Sequence, residues 1–464
     1  MSQVDQTTGL AVPKIRVKFG TAGIRGVYGQ EVSIRETIAV CFAVHQLLGE
    51  GKFGLGYDSR KTSVILATVA SSAMNWYGSD VESYGVIPTP VLAFNIKNNK
   101  LHAGFSVTAS HNPPEYAGVK VFGTDGIEFS LEAEHKLEQL VLKSGEYTKK
   151  EEQLGNFGST FENEDAVPAY IEALRQRHEA SRKRFKILVD CANGTAGRIT
   201  PSILSELGHR VVTVNAHPSE RFPGRLPEPT VDSLKEVALL TKAIAADFTI
   251  AHDGDADRLV MIDEFGRVVP DYKLSTLVLK IIVQKAKKGN VIISVNSSSA
   301  LEKAAHDLGC KVERSRLGKT FEELYKRRGI FASEPSKMVD PRWGYWEDGI
   351  YTSVLVAQYL AENNLSLSSA IADTPLYYNL QRNLQLGSVV DYTHVRSKMK
   401  QKFATQIDRF DELDGVKVYL KDGAWVMIRS SGTESKVRVY VESPNESEAN
   451  SLLQEATAIA SSSC

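Results

Sequence analysis

Four short loops in this sequence carry residue types that could do chemistry. The first is Thr108-Ala109-Ser110-His111-Asn112-Pro113-Pro114, which follows the apolar run 102–107. Two prolines stop any helix and stiffen the turn, leaving the Ser110 hydroxyl on a sharp bend. Ser110 could be a nucleophile or a phosphate carrier, or it could simply satisfy backbone groups of a polar turn. His111 stands next to it as a candidate catalytic residue. Sequence spacing completes no Ser-His-Asp triad around it.

The second loop is Asp253-Gly254-Asp255-Ala256-Asp257-Arg258, between two apolar runs. Three alternating carboxylates repel one another unless a cation neutralises them. Oxygen-only ligands select a hard ion, and Mg²⁺ typically keeps positions open for phosphate oxygens. An EF-hand is excluded, because Arg258 stands where that loop needs glycine and the flanks read as strands. Arg258 is a candidate substrate contact.

The third loop is Ser333-Glu334-Pro335-Ser336-Lys337, followed by the aromatic-rich Trp343-Gly344-Tyr345-Trp346. Glu334 and Ser336 are spaced to grip adjacent sugar hydroxyls, and aromatic rings can cover a sugar face. A plain helix-start turn is equally expected there. The fourth loop is Arg429-Ser430-Ser431-Gly432-Thr433-Glu434, after a strand beginning at Trp425. An arginine, two hydroxyls and a glycine can cradle a phosphate. It is not a Walker loop, since Gly-Lys-Ser/Thr is missing.

Jointly the loops describe one reaction: a hydroxyl carrying phosphate, a cation beside it, a sugar grip and a second phosphate grip. A metal-dependent sugar phosphatase and a non-catalytic phosphosugar-binding protein are the competing readings.

The elements that must position these loops repeat. A strand, polar loop, helix, glycine turn and second strand recur from Lys52, from Phe185 and from Asn290. Alternating strand and helix periods imply βαβ units with mainly parallel or mixed sheets. Ligands then bind beyond the strand C-terminal ends, where the polar loops lie. From about Asp373 the pattern changes to a small α+β domain, with strands near Val416, Trp425 and Lys436 and a final helix from Glu446. The charge-rich stretch 131–153 is expected to start as a helix and to join the first two domains. At 464 residues, three or four domains are expected.

Net charge is −1, so no global basic field exists for nucleic acid or an anionic membrane. No apolar run approaches a membrane span. Cys41, Cys191, Cys310 and Cys464 form no C-x-x-C pair, which argues against a disulfide framework or a thiolate zinc site. A polar N-terminus without an apolar signal core adds to a cytoplasmic expectation.

At these residues the chain resembles the α-D-phosphohexomutase superfamily of phosphoglucomutases, phosphomannomutases and phosphoglucosamine mutases. Phe19-Gly20-Thr21-Ala22-Gly23-Ile24-Arg25-Gly26 resembles the family's N-terminal motif, and the first, second and fourth loops resemble its phosphoserine, metal and phosphate loops. The resemblance runs nearly the whole chain, in order. It implies an α/β fold of four domains around a central cleft: three similar α/β domains with mixed sheets, then a C-terminal α+β domain. The expected divisions are 1–157, 158–262, 263–372 and 373–464.

It further implies an intramolecular phosphotransferase in which Ser110 is the phosphoserine. Asp253, Asp255 and Asp257, with Ser110, would bind one Mg²⁺ per chain. Lys120 would assist proton transfer, provided Arg25 and the cation lower its pKa, and Arg25 would lie near the reacting phosphate. Glu334 and Ser336 would contact the sugar, and Arg429, Ser431, Gly432 and Thr433 the non-reacting phosphate. A hexose monophosphate is the implied substrate and a sugar 1,6-bisphosphate the implied activator, in a monomer or homodimer. Two positions depart from the family's Gly-Glu-x-Ser-Gly-His pattern: Lys337 replaces glycine and Met338 replaces histidine. Met338 cannot exchange a proton; Lys337 could offer its charge to phosphate.

Overall fold

Strand Lys52–Tyr57, apolar from Phe53 onward, and strand Ala103–Val107, buried at every position, form the centre of the first sheet. Runs of this kind are covered on both faces by helices. The computed structural model describes residues 15, 17–20, 23–142, 156–181, 183–285, 288–385, 390–430 and 436–463. Lys52–Tyr57 pairs in parallel with Asp80–Val86 and with Ala103–Val107. Ala103–Val107 then turns back antiparallel into Tyr116–Gly123. Ile24–Val27 and Thr160–Glu162 extend the two edges. The first sheet therefore takes an edge strand from beyond residue 157.

The same four-strand core recurs twice. Lys186–Asp190 runs parallel to Arg210–Val214 and Phe248–Ala251, and Phe248–Ala251 returns antiparallel as Val260–Asp263. Asn290–Ser294 runs parallel to Lys311–Ser315 and Phe331–Glu334, and Phe331–Glu334 returns as Lys337–Val339. The first helices of these copies, Thr200–Glu206 and Ser299–Asp307, stop short of Gly208 and Gly309, as expected from sequence.

Each returning hairpin is one of the chemical loops. Each holds a non-glycine residue in the left-handed region: Ser110 at φ +50°, Ala256 at +59° and Ser336 at +62°. The Glu334 loop is thus a β-hairpin and not a helix-start turn. Its first strand is buried throughout and needs a pairing partner for its backbone.

The C-terminal domain is a five-stranded antiparallel sheet in the order Tyr378–Gln385, Lys436–Ser443, Trp425–Ser430, Val416–Leu420, Ile407–Asp411. Helix Glu446–Ser461 lies against it, and helix Tyr392–Phe403 packs on that helix and on Val416–Leu420. The edge strands Tyr378–Gln385 and Ile407–Asp411 are polar and partly exposed, so apolar periodicity does not announce them. Helix Leu131–Val141 forms at the start of the expected linker; residues 143–155 lie outside the described residues.

One apolar core runs through the first three domains, including Leu92 and Ile96, Tyr170 and Ile187, and Val291 and Leu355. Each buried Leu or Ile contributes about 1.5–3 kcal/mol, so this shared core ties the three domains together. At their junction Asp348 caps helix Gly349–Glu362 and accepts from Tyr170 Oη and Trp343 Nε1 at 2.8 and 2.7 Å. The C-terminal domain has its own core and joins the third through Val295, Tyr419, Trp425 and Met427. Cys41, Cys191 and Cys310 are buried free thiols. No helix among the described residues is long and apolar enough to cross a membrane.

Candidate active site

The three hairpins and one face of the C-terminal sheet converge on a cleft of about 530 Å³. Cavities of this size hold small-molecule ligands. Ser110, Arg258, Glu334 and Arg438 line it, one from each domain.

Ser110 is buried, and its Oγ donates to Asp253 Oδ2 at 2.7 Å. Its backbone N–H donates to Thr108 Oγ1 at 2.8 Å, and Thr108 Oγ1 donates to Asp58 Oδ2 at 2.7 Å. Beneath the turn, the Arg60 guanidinium pairs with Asp58 and donates to the carbonyls of Ser110, at 3.1 Å, and Asn112. The Phe222 ring of the second domain covers that guanidinium at 4.7 Å. Sequence reasoning gave Asp58 and Arg60 no role. The available signal was an Asp-x-Arg loop at a strand C-terminus, where site loops gather. Gly254 packs on the other side: a Cβ there would lie 2.6 Å from Ser110 O, so only glycine lets the acidic loop approach this closely.

Asp253, Asp255 and Asp257 are buried, and each presents a carboxylate oxygen within 4.8 Å of the others. Burial and the two neighbouring carboxylates push Asp253 up to about 8. Asp255 Oδ1 and Asp257 Oδ1 are buried without a hydrogen-bond partner. Unpartnered carboxylate oxygens in an all-oxygen set beside a serine hydroxyl fit a hard divalent cation. The other oxygens are occupied. Thr89 Oγ1 donates to Asp255 Oδ2 at 2.6 Å, and Lys120 Nζ donates to Asp255 Oδ2 and Asp257 Oδ2 at 2.9 and 2.8 Å. Burial opposes the Lys120 charge, but Asp255 and Asp257 outweigh it and raise the pKa. Between these two carboxylates Lys120 is a cation.

His111 Nδ1 lies 3.4 Å from Ser110 Oγ. Burial first, then Arg258, Arg25 and Lys337, hold its pKa far below the usual histidine value, so the ring is neutral. Arg25 Nη1 donates to Asn112 Oδ1 at 3.1 Å, while its Nε is buried without a partner. Arg258 Nε likewise has no hydrogen-bond partner, and its Nη1 lies 3.6 Å from Glu228 Oε1.

On the opposite wall, Glu334 accepts from the Gly318 N–H at 2.8 and 2.9 Å and from Thr320 Oγ1 at 2.9 Å. The N-terminus of helix Thr320–Arg327 thus holds this carboxylate. Burial and Glu347 still push it up to about 7. Ser336 Oγ donates to the Pro335 carbonyl at 2.6 Å. Lys337 does not stand free for a phosphate: Nζ donates to Asp257 Oδ2 at 2.9 Å and to Glu347. Met338 is buried in the apolar core, away from the cleft chemistry.

Arg429 is buried and forms an ion pair with Asp414 at 3.2 Å. Ser431, Gly432 and Thr433 lie outside the described residues. The neighbouring strand adds cations that sequence reasoning passed over, since Lys436 and Arg438 line the cleft together with Tyr440. Their i, i+2, i+4 spacing on one strand face was the available signal.

Comparisons with known proteins agree with this architecture. The family described as phosphoglucomutase/phosphomannomutase matches through its alpha/beta/alpha domain I over residues 16–148, domain II over 168–266, domain III over 270–377 and its C-terminal domain over 394–459. A phosphopentomutase of Thermococcus kodakarensis is 34% identical over 442 residues, covering 94% of this chain and 96% of that protein. A probable phosphoglucosamine mutase of Methanopyrus kandleri is 33% identical over 440 residues, with the same coverage of 94% and 96%. Among solved structures, a putative phosphomannomutase of Thermus thermophilus superposes with a TM-score of 0.81 at 24% identity, covering 96% of this chain and 99% of that one. That likeness bears on the fold alone. With four domains matched in order and full-length relatives at one-third identity, the chain belongs to the phosphoglucomutase/phosphomannomutase family of intramolecular phosphotransferases.

Proposed function

We propose that this chain moves a phosphoryl group between C1 and C6 of a hexose phosphate through phospho-Ser110 and a bisphosphorylated sugar. The observation that carries this reading is the Ser110 hydroxyl, 2.7 Å from Asp253, between the acidic triad and a cation-lined cleft. Asp253, Asp255, Asp257 and phosphorylated Ser110 would hold one Mg²⁺. When bound, that ion supplies charge neutralisation at the transferring phosphoryl oxygens.

The chain's own groups do the rest. Arg25, Arg258 and Lys120 gather positive charge around the phosphoryl oxygens. The bond from Ser110 Oγ to phosphorus breaks as the bond from a sugar hydroxyl oxygen forms. Neutral His111, its Nδ1 3.4 Å from Ser110 Oγ, passes that hydroxyl's proton to the departing Ser110 oxygen, and the reverse half-reaction runs the same transfer backwards. Glu334 and Ser336 hold sugar hydroxyls across the cleft. Arg429, Ser431, Gly432 and Thr433, joined by Lys436 and Arg438, hold the phosphate that is not reacting. A grip on phosphate alone serves both orientations, so the bisphosphate can reverse and return its other phosphate to Ser110. A sugar 1,6-bisphosphate activates by loading Ser110.

Incubation with glucose 1-phosphate, mannose 1-phosphate or glucosamine 1-phosphate, Mg²⁺ and a trace of sugar bisphosphate tests this. Isomer formation is expected. Release of inorganic phosphate without isomer would make the protein a phosphatase, and binding without turnover would make it a phosphosugar-binding protein. The intact mass should rise by one phosphate and should not do so in Ser110→Ala.

A further inference from the structure

Two fully buried titratable side chains on the C-terminal sheet, Lys417 and Glu442, take no part in the chemistry above. Both lie on the face that meets the third domain. Lys417 Nζ donates to the Val295 carbonyl at 2.8 Å. Glu442 Oε1 accepts from the Ser299 N–H at 2.9 Å, at the start of helix Ser299–Asp307. Both partners belong to one loop of the third domain, residues 295–299. Trp425 touches both side chains: its ring centroid lies 3.8 Å from Lys417 Nζ, and its Nε1 donates to Glu442 Oε1 at 2.7 Å.

The third domain holds that loop from its own side. Arg314 Nη1 donates to the carbonyls of Ser294, Val295 and Ser297 at 3.2, 3.1 and 3.0 Å, and its Nη2 pairs with Glu302 at 2.6 Å. Asn296, inside the loop, lines the cleft.

The apolar contact around Val295, Trp425 and Met427 is non-directional and by itself would let the two domains slide. Buried polar groups differ, because each needs a partner in one place. Burial first, and then Arg314, hold Lys417 well below the usual lysine pKa against the pull of Glu442. A seat shifted by one residue would leave both Lys417 and Glu442 buried and unpaired, which is costly. The two bonds therefore select one seating of the C-terminal domain.

That seating places the cations of the cleft. Lys436, Arg438, Tyr440 and Glu442 alternate along one strand and share one face. From Val437 to Glu442 the strand is paired on both sides. At about 3.3 Å per residue, Arg438 stands about 13 Å and Lys436 about 20 Å along the strand from Glu442. A tilt at Glu442 therefore moves both cations relative to Ser110.

We infer that Lys417 and Glu442 are positioning residues that hold Lys436 and Arg438 at a fixed reach from Ser110 by clasping loop 295–299. The inference rests on the mutase reading above and deepens it, since that reach sets the distance between the reacting and the non-reacting phosphate.

The test measures kcat and KM for whichever of the three hexose 1-phosphates named above is isomerised fastest, together with hydrogen exchange over residues 294–302. Glu442→Ala removes the acceptor of Ser299 and Trp425, so KM should rise about tenfold with kcat changed about threefold or less, and exchange in 294–302 should quicken. Lys417→Met keeps the apolar stem without the donor and should act in the same direction. Glu442→Gln keeps an acceptor oxygen for both bonds, so its KM should stay within about twofold of the wild type. A lowered melting temperature with KM unchanged, a loss confined to kcat, or a Glu442→Gln as impaired as Glu442→Ala overturns the inference and leaves the mutase reading standing. If Glu442→Ala does not fold, Lys417→Met and Glu442→Gln decide. If the wild type isomerises no sugar, the mutase reading falls, and calorimetry with glucose 6-phosphate judges the clasp: it stands only if Glu442→Ala weakens binding about tenfold and Glu442→Gln does not.

Discussion

The Ser110 turn and the Glu334–Lys337 turn occupy the same place in two copies of one four-stranded sheet, yet opposite means hold them. Under Ser110, a buried Asp58–Arg60 pair cancels its own charge and fastens the turn's carbonyls from within the first domain. The second turn is held by its own charged side chains, one of which reaches another domain. Helix N-terminal amides take Glu334, and Lys337 bridges to Asp257 of the second domain and to Glu347. The first arrangement anchors the turn's backbone through groups of its own domain, while its hydroxyl meets Asp253 of the second. The second adds the Lys337–Asp257 bond, which exists only when the domains are assembled and couples the sugar wall to the acidic loop. One backbone design thus supports a turn anchored by a neutralised pair beneath it and a turn anchored by its own charged side chains.

Five expected outcomes sharpen or break that contrast. Ser110→Ala should abolish isomerisation, a loss of about 10⁴-fold or more in kcat, because the group that carries the phosphoryl is gone; a coupled assay reads it. Arg60→Ala should cost about 3–5 kcal/mol of stability in urea unfolding, because it strands Asp58 in the interior. Arg60→Lys keeps the charge but not the fork, so kcat should fall about 10–100-fold with KM little changed. If Arg60→Lys instead raises KM at constant kcat, the turn is not held from beneath as described.

Lys337→Gly should leave Ser110 phosphorylation intact, because nothing beneath that turn changes. KM should rise several-fold, about 1 kcal/mol in binding, as Asp257 and Glu347 lose their bridge; a larger effect on Ser110 loading than on KM would show that the two turns are not separately held. The smallest effect concerns pH. Burial and Glu347 raise Glu334 to about 7, above its unfolded value of 4.5. Its contribution to stability is therefore complete below about 4.5 and is lost as pH rises through about 7. In Glu334→Gln, melting temperature should change less between pH 5 and 8 than in the wild type; identical slopes would place the charge elsewhere.

Much of this site is legible in the chain because each chemical loop is contiguous. Ser110 with two following prolines, and the carboxylates at 253, 255 and 257, need no long-range contact to be recognised. The repeat was readable for the same reason: apolar strand runs and helix-ending glycines are local patterns. The Glu334 loop was ambiguous because four residues of apolar strand look alike in a hairpin and before a helix. Strand Tyr378–Gln385 was missed because it is an edge strand whose polar residues give no clear alternation. Arg60, Lys436 and Arg438 were missed because an arginine or lysine in a loop or at a strand's end is usually solvated, and only burial and neighbours reveal otherwise.

The sequence by itself determined the repeat, the order of the loops and the chemical type each loop offers, since all three follow from residue identity and near spacing. Tertiary structure alone decided which charges meet. Arg60 reaches a carbonyl 50 residues away, Lys120 reaches carboxylates 135 and 137 residues away, and Lys337 reaches one 80 residues away. It also decided that Lys120 stays a cation and that Glu128 Oε1 is buried without a hydrogen-bond partner. Electrostatic partnership depends on distance in space and on burial, and local spacing encodes neither.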